Sequence, residues 1–574
     1  MIGPVARVLS LSLLLAATAV LPVRAARPAA VSGPGPGTGA PALAAASAAD
    51  PGAVAHYLAG RLLEERGLDA DALEEYLQAL RLDPERTGIE LRVSEIAARQ
   101  GEAQRSLESA ERVLMREPGN ARALWLQGSA LFNQGRPAES MKALRAAVAA
   151  DSEQVDYWRT LAHVAETLDQ VEWMAKGWRH AVELEDRDGE SWFQLAAVEA
   201  RLGHFRDADS MLAEAMDLNP ARPGALFLEG WIQEGLGHAE EAMQRYREHL
   251  EVHPGDQVTR RRLVNLLVDV GRLAEAYQEA GVVRRAQPDD PEAVGVEADL
   301  ALRLDHLARG DELLDRLVQA DAGDPGRVAR AAGILAHRGR GREAVARAED
   351  WATKHAADYR GPLLMAQTLS ETGDTTGAVA AARRAVEMEP DSLAPRFVLG
   401  GLLQASHRFA GAESVWMDLS RRVPTVIRVR LDLAYCRQEL GDLDGAVSVL
   451  RDALAREPDD SSTLNFLGYL LADQNRNLAE AETLVSRALD QEPDNGAYLD
   501  SMGWVYYRLG RLAEARLQLE RAVDLTNGDP VVREHLGDVY KDLNLIELAR
   551  EQYQRSLDRD QGNARVRAKL SEIR

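Results

Sequence analysis

Cys436 is the only cysteine in the chain, so neither an intrachain disulfide framework nor a thiolate metal cluster can be assembled. A lone thiol becomes a nucleophile only where its surroundings lower its pKa. Cys436 lies inside a helical repeat pattern with no catalytic signature around it and reads as a small buried hydrophobe. His249 and His253 have the i, i+4 spacing at which two imidazoles can share a metal ion. No third ligand accompanies them, and Pro254 disfavours helical geometry at His253, so no metal is expected there. Gly339-Arg340-Gly341 resembles a fragment of a nucleotide loop, but no strand pattern precedes it and no Lys-Ser/Thr follows. Neither a catalytic residue nor a cofactor is expected. Aromatic residues make better candidates: Tyr435, Tyr469 and Trp504 recur at one position of successive repeats, with Asn465, Asp500, Tyr507, Arg508 and Lys541 close by. Such rings offer large contact area at small entropic cost, which suits holding an extended protein or peptide segment.

The elements that must position these residues follow from one period. Pro84, Pro118, Pro220, Pro254, Pro288, Pro390, Pro424 and Pro458 are separated only by multiples of 34 residues. Seventeen residues before each stands a turn residue, usually glycine. In full the turn series runs Gly67, Gly101, Gly135, Asp169, Gly203, Gly237, Gly271, Asp305, Gly339, Gly373, His407, Gly441 and Asn475, then Gly510 and Asn544 after one inserted residue. Seven residues before each turn, Val264 excepted, the side chain is small, as at Gly60, Gly128, Gly230, Gly400, Gly503 and Gly537. Five residues after it a second small set follows, including Ala72, Ala208, Ala276, Ala446 and Ala549. Larger apolar residues between them fall at spacings of three and four, as helices require. A period of this length predicts an all-α solenoid of about fifteen stacked helix pairs, each burying its apolar face against its neighbours.

The residues Leu499, Met502, Gly503, Tyr506, Ala515, Leu519 and Ala522, and equally Trp192, Leu195, Ala196, Ala208, Leu212, Ala215 and Pro220, resemble the tetratricopeptide repeat (TPR) pattern. The resemblance implies a right-handed superhelix whose first helices line a concave groove, and it places Tyr435, Tyr469 and Trp504 on that groove. A second row, Trp125, Phe193, Phe227 and Phe397, stands ten residues before the turns. The stretch from Leu464 to Val523 is similar to bacterial envelope repeat proteins, some of which are adaptors of carboxyl-terminal processing proteases. An accessory role in exopolysaccharide secretion and a repeat-associated glycosyltransferase are the alternatives that family likeness offers.

The net charge of −23 argues against nucleic acid, whose binding draws on clustered Lys and Arg. Arg7, the apolar run from Val8 to Val20 and Val23-Arg24-Ala25 read as an export signal over residues 1–25, placing the chain in the periplasm or outside the cell. An Ala/Gly/Pro-rich linker is expected over 26–52, one repeat arm over 53–301 and a second over 357–561. Between the arms, residues 302–356 depart from the pattern, with Asp305 at the turn and Gly310 at an alanine position, and are expected to form a joint. Residues 562–574 carry Val566, Leu570 and Ile573 on one helical face and read as a capping helix.

Overall fold

A computed structural model describes residues 50–573, so the expected export signal and most of the linker lie outside the described residues. Within them the chain is all helical: α1 (Pro51–Glu65) through α30 (Ile546–Arg559) form fifteen antiparallel pairs, and α31 (Ala564–Glu572) follows. The helices group into two compact units, residues 50–288 with α1–α14 and residues 289–573 with α15–α31.

The punctuation between helices is local chemistry. Every turn residue of the 34-residue series takes a positive φ, from 53° at Asn475 to 89° at Gly373, which lets the chain reverse immediately after the first helix of a pair. Where glycine is absent, Asp169, Asp305, His407, Asn475 and Asn544 occupy this left-handed region; Asn and Asp tolerate it because their short polar side chains bond locally. The single insertion adds a second left-handed residue, Asn477 (φ 46°), immediately before α26 (Leu478–Gln491). At the other junction a proline stops the second helix, and after Pro118, Pro254, Pro288 and Pro458 an Asp or Asn two residues on caps the next first helix. Pro254 and Asp256, whose side chain accepts from the Val258 and Thr259 amides, show the arrangement, as do Pro458 and Asp460.

Pairs are held by close approach. A Cβ on Gly60, Gly230 or Gly537 would lie 2.5–2.6 Å from the ring of Tyr76, Tyr246 or Tyr553 on the partner helix. Gly128 and Gly503 stand in the same relation to Leu144 and Leu519. These tyrosines and leucines are wholly or almost wholly buried, together with the second small set, of which Ala72, Ala208, Ala276, Ala446 and Ala549 have no exposed surface.

Residues 302–356, expected to form a joint, comprise the end of α15 (Pro291–Arg303), α16 (Leu307–Gln319), α17 (Pro325–His337) and α18 (Gly341–Lys354), all within the second unit, which begins at Asp289. The pattern lapses for a packing reason: Leu302 occupies the space beside Gly310 that a methyl group would need. Trp351 is buried here and donates its indole N–H to the Ala322 carbonyl at 2.9 Å, fastening the loop after α16. At the carboxyl end α31 buries Val566, Leu570 and Ile573 and exposes Arg567 and Ala568.

Two helical glycines separate packing from propensity. Gly230→Ala places a methyl 2.6 Å from the fully buried Tyr246 ring, and its overpacking cost of about 1–3 kcal/mol outweighs the roughly 1 kcal/mol gain in helix propensity. Gly401 has no atom within 4 Å of its Cβ position, so Gly401→Ala is stabilising by about 0.5–1 kcal/mol. Melting followed by circular dichroism will show the first variant below the parent and the second above it; a rise in both contradicts this account of the pair contact.

Candidate functional site

The first helices of the last repeats in the second unit are α23 (Ile427–Glu439), α25 (Ser461–Asp473), α27 (Gly496–Arg508) and α29 (Pro530–Asp542); α27 packs between α25 and α29, and α31 meets α29 through Arg565 and Lys569. The structure places the expected residues on the face of these helices but divides them into two groups. Tyr435, Asn465, Tyr507, Arg508 and Lys541 are half-buried and remain partly accessible. Tyr469, Asp500 and Trp504, expected as groove-lining, are 4%, 8% and 8% exposed and belong to the packed interior.

The reason is His535, which the sequence reading did not single out. Its imidazole stacks on Trp504 with ring centroids 4.2 Å apart and lies 6.3 Å from the Tyr469 ring. Nδ1 is 2.8 Å from Asp500 Oδ1; the ionised carboxylate can only accept, so Nδ1 carries the proton and donates. On its other side Trp504 stacks with Tyr507 at 4.9 Å, and the Arg508 guanidinium stands 5.9 Å from the indole ring. Tyr507 donates to Asp542 at 2.8 Å, and Arg508 to the Asp473 carbonyl at 3.2 Å. The row is therefore a stack of rings stiffened by hydrogen bonds, closed by its own neighbours. Burial, and in Tyr507 also the Asp542 carboxylate, pushes the Tyr435, Tyr469 and Tyr507 hydroxyls above the usual phenol range, so all three are neutral donors.

Asn465 Oδ1, Tyr469 Oη and Trp504 Nε1 on this face are buried without a hydrogen-bond partner. Such groups forgo about 1–3 kcal/mol each until a partner reaches them. Beside them sits a set of buried ion pairs. Glu534, with no exposed surface, meets Arg565 Nε and Lys569 Nζ at 2.8 Å each, and Lys569 also reaches Asp538 at 2.5 Å. Asp538 accepts from the Tyr553 hydroxyl at 2.7 Å, and Lys541 pairs with Glu572 at 3.0 Å. Through these contacts the last helix is tied to α29. Glu534 and Asp538 stand ten and six residues before Asn544, in the register of Asn465, Asp500, Tyr469 and Trp504, so extending the positional rule by one unit would have found them.

Among the other candidates, Cys436 is fully buried and its thiol is pushed up to about 12, chiefly by burial. The rings of His249 and His253 stack at 4.7 Å, and His249 Nε2 lies 3.0 Å from Asp256 Oδ2, which occupies it as a cap partner. In the first unit Trp125, Phe193 and Phe227 are half-buried; Trp125 donates to Thr160 at 2.9 Å, and the Arg222 guanidinium lies 4.4 Å from the Phe193 ring. Phe397, in the second unit, packs edge-on against Trp416 at 6.0 Å.

Glu534 supplies a pH dependence. Lys569 and Arg565 hold its pKa below the ordinary carboxylate value against the opposing effect of burial. A depressed folded-state pKa contributes stability that is present at neutral pH and lost as pH falls through that lowered value. The protection factors of α31 amides, corrected for the intrinsic pH dependence of exchange, will therefore fall selectively in acid. Glu534→Gln will produce the same fall in protection at pH 7, a loss of about 1.5–3 kcal/mol for a hydrogen bond to a charged group; equal protection in variant and parent at pH 7 removes the ion pair as the tie.

Models of the tetratricopeptide repeat match residues 36–86, 95–155, 193–256, 431–496, 472–530 and 501–565, and a second such model matches 234–300. A TPR repeat-containing protein of Pseudomonas aeruginosa is 45% identical over 86 residues, 14% of this chain and 15% of the relative. Cellulose synthase operon protein C of Pseudomonas fluorescens is 20% identical over 463 residues, 74% of this chain. The matching parts span only 15% and 36% of these two relatives. Among solved structures, Naa15/Naa10 bound to HypK-THB aligns over 91% of this chain and 96% of its own at 14% identity and TM-score 0.43. YrrB, described as a TPR protein with an unusual peptide-binding site, aligns over 32% of this chain and 95% of its own at 20% identity and TM-score 0.31. With these matches covering more than half of the chain, and with fifteen helix pairs in register, the protein belongs to the tetratricopeptide repeat family.

Proposed function

We propose that the chain is a non-catalytic scaffold of the bacterial cell envelope that holds an extended segment of a protein partner against the first-helix face of its last units. The observation that carries this reading is the combination of the buried, unpartnered atoms Asn465 Oδ1, Tyr469 Oη and Trp504 Nε1 with a reachable rim of Tyr435, Tyr507, Arg508 and Lys541. An extended main chain alternates donors and acceptors, so it can answer an indole N–H, a phenol and an amide oxygen together. To reach them it must turn aside Tyr507 and Arg508, whose own bonds are to the exposed Asp542 and to a backbone carbonyl. Export is supported by the signal-like residues 1–25.

A second reading, an accessory role in exopolysaccharide production, is favoured by the likeness to cellulose synthase operon protein C along 74% of this chain. In affinity capture from an envelope fraction with the full chain as bait, the variant carrying Tyr435→Ala, Tyr507→Ala and Arg508→Ala is expected to keep the parent's helical circular-dichroism spectrum at the capture temperature, with a lower melting temperature for the lost Tyr507–Trp504 stack. It should lose at least tenfold of each captured protein, about 1.4 kcal/mol of binding. Equal capture by parent and variant refutes the site, and capture confined to polysaccharide-synthesis components moves the conclusion to the second reading.

A further inference from the structure

The opposite side of the first unit, built from second helices, carries a patch that the first-helix face does not explain. Helices α6 (Pro137–Ala150) and α8 (Val171–Leu184) contain the same basic spacing 34 residues apart, Lys142-Ala143-Leu144-Arg145 and Lys176-Gly177-Trp178-Arg179. At the equivalent positions the preceding unit has Glu108 and Glu111 and the following one Ser210 and Ala213, so the basic pair belongs to two units alone among these four. Two of the chain's five lysines stand here. All four cations are exposed.

What distinguishes the patch is how its cations are held. Elsewhere on this acidic protein arginines are commonly spent on carboxylates: close by, Arg136 engages Glu139 and Arg179 engages Glu199 at 2.6 Å. Lys142, Arg145 and Lys176 have no carboxylate within 4.0 Å among the described residues. Instead the Arg145 guanidinium lies 4.3 Å and the Lys176 ammonium 5.0 Å from the centroid of the half-buried Trp173 ring, and Lys176 is 5.8 Å from Trp158. A ring fixes a cation's position without neutralising it. The acidic groups on these two helices are Glu139, bonded to Arg136 and within the electrostatic reach of Lys142, Glu172 on the first turn of α8, and Glu183, which is paired with His180.

We propose that this outer face of α6 and α8 binds a short acidic segment of a partner protein, with Arg145 and Lys176 gripping carboxylates and Lys142 extending the contact. Planar guanidinium presents paired N–H donors to a carboxylate, and the two Trp173-held cations are already ordered, so less entropy is lost on binding. The patch spans two successive second helices, bridged where Arg145 of α6 reaches over Trp173 of α8, so a short extended segment can meet both. Its edges set the class of partner. A nucleic acid or an anionic bilayer would continue past the patch over a surface of net charge −23, including Glu108 and Glu111. A short segment meets the cations alone, and charges beyond a Debye length of about 8 Å are screened. The site lies in the first unit and does not depend on the face of α23–α31.

Fluorescence anisotropy of labelled hexaglutamate titrated with the full chain in low salt tests this directly. Binding should weaken steeply with added salt and weaken at least tenfold in the Lys142→Gln, Arg145→Gln, Lys176→Gln variant, whose melting temperature should match the parent. Hexalysine serves as the charge control and should gain nothing from these three cations. A gain-of-function variant guards against misfolding: Glu108→Lys with Glu111→Arg continues the spacing into a third helix and should tighten hexaglutamate at least threefold. Equal hexaglutamate affinity in the parent and the triple variant overturns the proposal. So does cosedimentation with phosphatidylglycerol vesicles that requires the three cations while hexaglutamate fails to bind, since it would identify a membrane surface instead.

Discussion

Almost everything in this protein depends on how closely two helices can approach within one repeat. At Gly60, Gly128, Gly230, Gly503 and Gly537 the first helix presents bare backbone, and a tyrosine or leucine from the second helix lies where a Cβ would be. The contact is dense and specific in register, because a neighbouring position of either helix would bring side chain against side chain. It also fixes the remaining geometry. Once the pair is set, the left-handed residue must fall just after the first helix, and the chain must stop at the proline before the next pair can begin.

The same constraint allows substitutions when the local volume is conserved. Glycine at 310 stands where other repeats have alanine, yet the space is filled by Leu302 from the partner helix, so the close approach is preserved with its roles exchanged. Asp, His and Asn replace the turn glycine without altering the reversal. A repeat array tolerates such local exchanges because each unit answers mainly to its immediate neighbours.

Charge is handled differently on the two sides. On the first-helix face of the second unit the acidic residues Asp500, Glu534 and Asp538 are buried and paired with His535, Arg565, Lys569 and Tyr553, making an electrostatic interior out of what a repeat pattern offers as surface. Burial of carboxylates is tolerable only with such pairing. On the second-helix side of the first unit, Lys142, Arg145 and Lys176 are left exposed without a carboxylate within 4.0 Å, two of them ordered over Trp173. Pairing consolidates the one surface, and its absence leaves charge available on the other.

The fold was legible because its determinants are short-range and periodic. A left-handed turn, a helix-stopping proline and a small residue at the pair contact each act within one 34-residue unit and are written in the identity of single residues. Burial of the ring row was not legible. Tyr435, Tyr469 and Trp504 share one register, yet Tyr435 stays partly open while the other two are enclosed. The difference is His535, brought from a different helix to stack on Trp504 and bond Asp500. Sequence alone determined which residues share a face; only tertiary packing decided which of them that face encloses. Enclosure depends on side chains from three or four helices meeting at one point, and no one-dimensional period records that meeting.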